Sequence, residues 1–325
     1  MRLVRAAETR TGFDWTEGMS AVRAAYRDST PGTPSGRVIA AADGVSVRAM
    51  VAVPAGRFLG SKQIVRGVDA LTYLVALFEK SNASLAYLVD GLYLTGVRTA
   101  VTSALAIAEL SGRQFSRVAI LGSGTEARHH LEAVRELRRP DVVTMYSPRA
   151  ESREAFVQWA RSIDIDVVAF DDPQRAVEGA DVVITAARST GERPILFASW
   201  LGDARVVVSI GSTLPHQREV DVSVLSAARL IVSDEPHELL HQTGDLLAAR
   251  DAGLVLDDQV RTLQELLDGD LASRVPDSSG GSGYALFKSV GSALQDIAVA
   301  ASVVDRLEQL GRCTPVDFDF DLEPR

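Results

Sequence analysis

RVAILGSGTEA, residues 117–127, decides the fold. RVAILGSG (117–124) is a short apolar run ending in glycines, the pattern of a strand buried on both faces. EARHHLEAVREL (126–137) follows it with helical spacing. Between them Gly122-Ser123-Gly124-Thr125-Glu126-Ala127 spells G-x-G-x-x-A. In a strand–turn–helix context this loop reads as a site for the pyrophosphate of a dinucleotide. Gly122 permits the tight turn, Gly124 lets backbone approach the phosphates, and Ala127 lets helix pack on strand. Thr125 opens the helix, whose N-terminus supplies N–H donors and a partial positive charge.

The same rhythm continues outward. Apolar strands are predicted at 141–147, 165–170, 180–187, 204–211 and 228–234, with helices at 152–162 and 173–179 among them. Such alternation means a parallel sheet covered on both faces, here a Rossmann-type doubly wound domain over 114–289. Residues 1–113 read differently. A helix is predicted over 19–29, broken by PGTPSG (31–36). Strand-like runs follow at 37–42, 47–54, 61–67, 71–79 and 84–90, separated by turn residues as in an antiparallel sheet. A helix over 98–110 stops at Gly112. A last helix over about 290–311 is expected to return to this N-terminal α+β domain, so the predicted class is α/β with two domains. PDSSGGSG (276–283) reads as a flexible loop.

Composition narrows the function. A chain of 325 residues with 46% hydrophobic and 24% charged residues can bury two ordinary cores. Its net charge of −9 speaks against a nucleic-acid partner. Cys313 has no partner for an internal disulfide. Arg2, Arg5, Glu8 and Arg10 interrupt any signal-like start, and no uncharged apolar run reaches membrane-spanning length. The expected compartment is the cytoplasm. Lys62, Lys80 and Lys288 are the only lysines among 34 basic residues. Lysine, unlike arginine, can give up its proton when its pKa is lowered.

The second Rossmann strand ends Tyr146-Ser147-Pro148-Arg149, without the carboxylate that grips a ribose 2′-hydroxyl. Ser147 and Arg149 suit a 2′-phosphate instead, so NADP is expected rather than NAD. His237-Glu238-Leu239-Leu240-His241 spells H-E-x-x-H, but no third ligand follows in the spacing that a catalytic zinc needs. No metal site is predicted.

GVRTAVTSALAIAEL (96–110), the glycine loop, VVVSIGSTLPHQREVD (206–221) with Gly244-Asp245 beyond it, and LFKSVGSALQDIAVA (286–300) occur in one order. Together they resemble the ornithine cyclodeaminase/mu-crystallin family over nearly the whole chain. The resemblance implies a Rossmann domain beside an N-terminal domain that binds a small amino or imino acid and forms a homodimer. It places Arg37 and Arg98 on the substrate carboxylate, Lys62 as proton carrier and Lys288 among the cofactor-binding residues. Thr213, the second catalytic position, stands where cyclodeaminases carry an aspartate. A hydroxyl cannot take the proton of a distal ammonium, so an NAD(P)-dependent ketimine reductase or amino acid dehydrogenase is expected. The alternatives are an ammonia-eliminating cyclodeaminase that recycles bound NAD and a non-catalytic NADPH-dependent small-ligand binder.

Overall fold

The computed structural model describes residues 1–28, 37–187, 193–271 and 283–316. The PGTPSG break, Ser29 at the end of the first predicted helix, and the glycine–serine stretch before Gly283 lie outside them. The first elements are β1 (Arg2–Val4), α1 (Ala6–Gly12), α2 (Trp15–Arg27), β2 (Arg37–Ala42), β3 (Val45–Ala52), β4 (Phe58–Arg66), β5 (Leu71–Glu79), β6 (Leu85–Asp90) and α3 (Gly91–Ser111). Next come β7 (Arg117–Leu121), α4 (Thr125–Leu137), β8 (Val142–Tyr146), α5 (Ala150–Ser162), β9 (Val167–Phe170), α6 (Pro173–Val177), β10 (Val182–Thr185) and β11 (Val206–Ser209). The chain continues through α7 (Val222–Ala227), β12 (Leu230–Ser233), α8 (Pro236–Gln242), α9 (Gly244–Asp251), β13 (Val260–Thr262), α10 (Leu263–Asp268) and β14 (Ala285–Lys288). It ends with α11 (Ala293–Gln309) and β15 (Thr314–Pro315).

Backbone contacts divide the chain into two units, Met1–Thr102 with Ser292–Arg325, and Ser103–Gly291. The sequence reading puts the breaks at 113/114 and 289/290, whereas the contacts put the first one inside α3. That helix has the length and hydropathy of a membrane span, but 83% of its apolar window is buried within the protein, as in a core helix.

The first unit holds a seven-stranded sheet in the order β15-β1-β6-β5-β4-β3-β2. The pairs from β2 to β6 are antiparallel, and β1 runs parallel to β6. Register aligns Arg37, Met50, Lys62, Val75, Val89 and Val4 in one row. Alternate residues of a strand share a face, so the row lies on one side. That side is covered by α11, which packs against β3, β4 and β5. Met50, Lys62, Val75, Val89 and Val4 are buried there. The opposite side carries Val38, Val45, Val47, Val51 and Val65, all exposed. Ser292 caps α11 through a hydrogen bond from the Leu294 N–H, and Asp14 caps α2 the same way with Thr16 and Glu17.

The second unit is an eight-stranded sheet, parallel throughout, ordered β13-β12-β14-β11-β10-β7-β8-β9. Every residue of β10, β11, β12 and β14 is buried, which explains why the first three residues of each are apolar. From β7 the chain builds outward through β8 to β9, then returns to lay β10 on the other side of β7. The strand order therefore reverses at β7/β10, and ligands of such sheets bind outside the carboxyl ends at that point. β14 is a central strand that the sequence reading did not place.

Candidate dinucleotide and carboxylate sites

The glycine loop sits at the switch point. Gly122 has φ +136°, a region favourable only to glycine. Its N–H donates to the Tyr146 carbonyl at the end of β8. A Cβ there would lie 2.5 Å from the Ala186 carbonyl oxygen beyond β10, so only glycine fits between the two neighbouring strands. Gly124 is the N-cap of α4, and no described atom lies within 4 Å of where its Cβ would be. That bare backbone at the N-terminus of a 13-residue helix is a surface that a pyrophosphate can approach. Thr125 is exposed beside it, and Ala127 is fully buried against the sheet. These residues fit a dinucleotide.

Ser147, just after β8, is buried, and its hydroxyl is 3.0 Å from that of Ser123 in the glycine loop. Arg149 is exposed at the N-cap of α5. The Arg153 guanidinium donates to the carbonyls of Ser147 (2.7 Å) and Pro148 (3.1 Å), which fixes the turn that presents Arg149.

In the first unit the structure brings together Lys62, Arg98 and Arg37. Lys62, on β4, is fully buried, with its Nζ 2.7 Å from Asp296 Oδ1 on α11. Arg98, on α3, donates to the same oxygen from Nε at 3.0 Å and to Gln295 Oε1 from Nη1 at 2.7 Å. Gln295 in turn donates to the Tyr26 hydroxyl at 2.9 Å. Asp296 Oδ2 is buried without a hydrogen-bond partner among the described residues. Burial brings the Lys62 ammonium down to about 8; Asp296 pulls it up, and Arg98 and Arg37 add to the depression. Lys62 and Arg98 thus share one oxygen of a buried carboxylate, and such a pair of cations suits an anionic ligand. A lysine with a pKa near 8 can exchange a proton near neutral pH. Sequence reasoning missed Asp296 and Gln295. The available signal was an acid among the buried positions of the helix, beside Ala293, Ile297 and Ala300.

Thr213 lies in the other unit, on the loop after β11, where its N–H donates to Gln217 Oε1 at 3.1 Å. A buried polar network lies beneath that loop. Glu219 accepts from the N–H groups of Gly211 (2.7 Å) and Ala187 (2.8 Å) and from the hydroxyls of Thr185 and Ser209. Burial raises the Glu219 carboxyl to about 7, against the pull of Lys288 and the Gly211 N–H. Asp245 accepts from the backbone of Glu219 and Val220. Lys288, expected among the cofactor-binding residues, lies in this network. It is fully buried, and its ammonium donates to Ser209 Oγ, Ser212 O and Ser212 Oγ beside an ion pair with Asp245 at 3.1 Å. An ammonium has three N–H donors. All are engaged with the protein, so the side chain braces the loop that follows β11.

The H-E-x-x-H segment forms α8. His237 and His241 stack with ring centroids 4.6 Å apart, and His241 Nδ1 is 2.9 Å from the His237 carbonyl oxygen. No cluster of three metal-ligating side chains occurs among the described residues.

The sequence profile of the ornithine cyclodeaminase/mu-crystallin family matches residues 58–311. Ketimine reductase mu-crystallin of Rattus norvegicus is 32% identical over 231 residues, covering 71% of this chain and 68% of that protein. The crystal structure of a probable ornithine cyclodeaminase from Bordetella pertussis Tohama I superposes with a TM-score of 0.84 at 27% identity, covering 97% of this chain and all of that one. Thermococcus litoralis Δ1-pyrroline-2-carboxylate reductase, solved in complex with NADH and L-proline, shares the fold, with a TM-score of 0.86 at 21% identity over 97% of this chain and 100% of that one. With the profile spanning most of its length and a relative this similar in sequence, the chain belongs to the ornithine cyclodeaminase/mu-crystallin family.

Proposed function

We propose that the protein is an NADP(H)-dependent reductase of a small α-imino acid, able to run in reverse as an amino acid dehydrogenase. The observation that carries this reading is the buried Lys62, held between Asp296 and two arginines. Arg37 and Arg98 grip the substrate carboxylate, and the Lys62 ammonium delivers a proton to the substrate nitrogen. A bound reduced nicotinamide supplies the hydride. Gly122, Gly124, Thr125 and Ala127 seat the pyrophosphate, and Ser147 with Arg149 reads a 2′-phosphate. Thr213 argues against cyclodeamination, because its hydroxyl has no charge to offer a distal ammonium.

The exposed valines of β2, β3 and β4 form an apolar face on a sheet, the kind of surface that a second subunit covers. We assign it to a homodimer, which sedimentation would detect. The activity test follows NADPH absorbance with cyclic imines and with α-keto acids plus ammonium. Turnover is expected, and Lys62→Met should lower it at least about a hundredfold while dinucleotide affinity is retained. Only a few-fold loss would remove Lys62 from the chemistry.

A further inference from the structure

The parallel sheet of the second unit ends in a polar row. Register aligns Thr185, Ser209, Lys288 and Ser233 as the last residues of β10, β11, β14 and β12, all fully buried. The row before it, Ile184, Val208, Phe287 and Val232, is apolar. Buried polar groups are costly unless their hydrogen bonds are satisfied, so a polar row at this depth calls for a reason. Glu219 rests on it and is itself fully buried.

Among the described residues Glu219 meets four donors. One carboxyl oxygen accepts from Thr185 Oγ1 at 2.9 Å, Ser209 Oγ at 3.0 Å and the Gly211 N–H at 2.7 Å. The other accepts from the Ala187 N–H at 2.8 Å. The group thereby joins the chain leaving β10 to the chain leaving β11. The approach is close: a Cβ at Gly211 would overlap both the Glu219 carboxyl and the Ala187 carbonyl oxygen. Behind Glu219, its own N–H donates to Asp245 Oδ1 at 2.9 Å and its carbonyl accepts from the Ile195 N–H at 2.8 Å. Asp245 pairs with Lys288 at 3.1 Å, which ties the arrangement back to the polar row.

A dinucleotide on such a sheet spans two mononucleotide-binding halves, one on each side of the switch point. In the reading above, the end of β8 with Ser147 and Arg149 takes the adenosine side. The nicotinamide side then falls to the ends of β10 and β11, the two segments that Glu219 joins.

We infer that Glu219 is a positioning residue for the nicotinamide half: it does not touch the dinucleotide, but fixes the backbone on which that half rests. This rests on the dinucleotide reading of the glycine loop. Two of the four donors are backbone N–H groups, which cannot turn round, and two are hydroxyls, which can. A carboxylate accepts from all four. A carboxylic acid still accepts from both N–H groups while its single O–H points at a hydroxyl. An amide has one oxygen, and the two N–H groups meet different oxygens of Glu219. Glu219→Gln therefore releases one of the two segments.

The test separates the halves of the cofactor by titration. NADPH carries both, and 2′-phospho-ADP-ribose lacks the nicotinamide. In Glu219→Gln the NADPH affinity should fall at least about tenfold, the size of a lost hydrogen bond to a charged group, while 2′-phospho-ADP-ribose binds as in the parent. The fluorescence of bound NADPH comes from the nicotinamide ring, and at saturation it should move toward that of the free dinucleotide. Unchanged NADPH affinity or emission overturns the inference. Equal weakening of the two ligands overturns it as well, because general damage to the unit would do the same. Should Glu219→Gln not fold, Thr185→Val carries the test by removing one donor, with a loss of about 2- to 10-fold for NADPH alone; the absence of that loss is equally fatal. NADH and ADP-ribose are titrated in parallel, so a protein that prefers NAD(H) shows the same split. A parent that binds neither dinucleotide ends the cofactor reading and the inference with it. A split that appears while no imine is reduced sustains the inference, and the reductase reading alone falls.

Discussion

Replacing Asp296 by asparagine tests the proton-carrying role of Lys62 through its charge alone. Asparagine keeps the shape and one acceptor oxygen for Lys62 and Arg98 but removes the negative charge. Imine reduction needs the ammonium form of Lys62, so kcat/KM should be level below a pH of about 8 and fall about tenfold per unit above it. Asp296 favours the charged form of Lys62, so its loss must move that descending limb to lower pH. The size of the shift has a floor. Unit charges 2.7 Å apart interact by about 1.5 kcal/mol even when screened as in bulk water. One pKa unit corresponds to about 1.4 kcal/mol, so the limb should move down by at least about one unit. The buried setting enlarges this, because less water screens the pair. The assay is kcat/KM against pH with a non-titrating imine and saturating NADPH, on parent and variant of matching circular dichroism. A limb that stays in place, or moves upward, would refute the assignment of the titration to Lys62 and its pairing with Asp296.

Arg149→Ala should weaken NADPH binding about tenfold, the loss of a charge-assisted contact, and leave NADH binding unchanged in a fluorescence titration; NADH binding as tight as NADPH binding in the parent would end the 2′-phosphate assignment. Gly122→Ala forces a side chain to φ +136° and into the Ala186 carbonyl. It should cost at least about 2 kcal/mol of stability and abolish dinucleotide binding, so an unchanged melting temperature with intact affinity would contradict the loop geometry. L-ornithine with catalytic NAD⁺ should yield neither proline nor ammonia; proline formation at about one per second or faster would make the protein a cyclodeaminase despite Thr213.

The sequence carried much of this arrangement, for reasons that differ between elements. β10 and β11 are buried on both faces and therefore read as unbroken valine-rich runs. The glycine loop was legible because its conformational demands admit few residue types. β14 escaped notice although it lies between β11 and β12. Its four residues include a lysine, and no local pattern shows that Ser209, Ser212 and Asp245 enclose that charge. Lys62 stood out through the scarcity of lysine and Arg98 through the family resemblance, and a search for charges at the buried positions of α11 would have found Asp296 as well. The row from Arg37 to Val4 is a product of strand pairing, which no single segment encodes.

The return of α11 to the first sheet also sets an order of events during synthesis. Thr102 and Ser292, the two edges of the first unit, are separated by 190 positions. At ordinary rates of translation that is on the order of 10 to 40 seconds. Throughout this interval β2–β6 are on or outside the ribosome without the helix that covers their inner side. The outer side shows its valines as well, so for that period the nascent sheet has two sticky faces. Lys62 and Arg98 must wait for Asp296, which has not yet been made. The intervening unit, which contains its own whole sheet, is free to fold first. The N-terminal portion should accordingly be the substrate of chaperones bound to the growing chain, and a chain terminated before residue 293 should accumulate as aggregate in spite of carrying an intact Rossmann sheet.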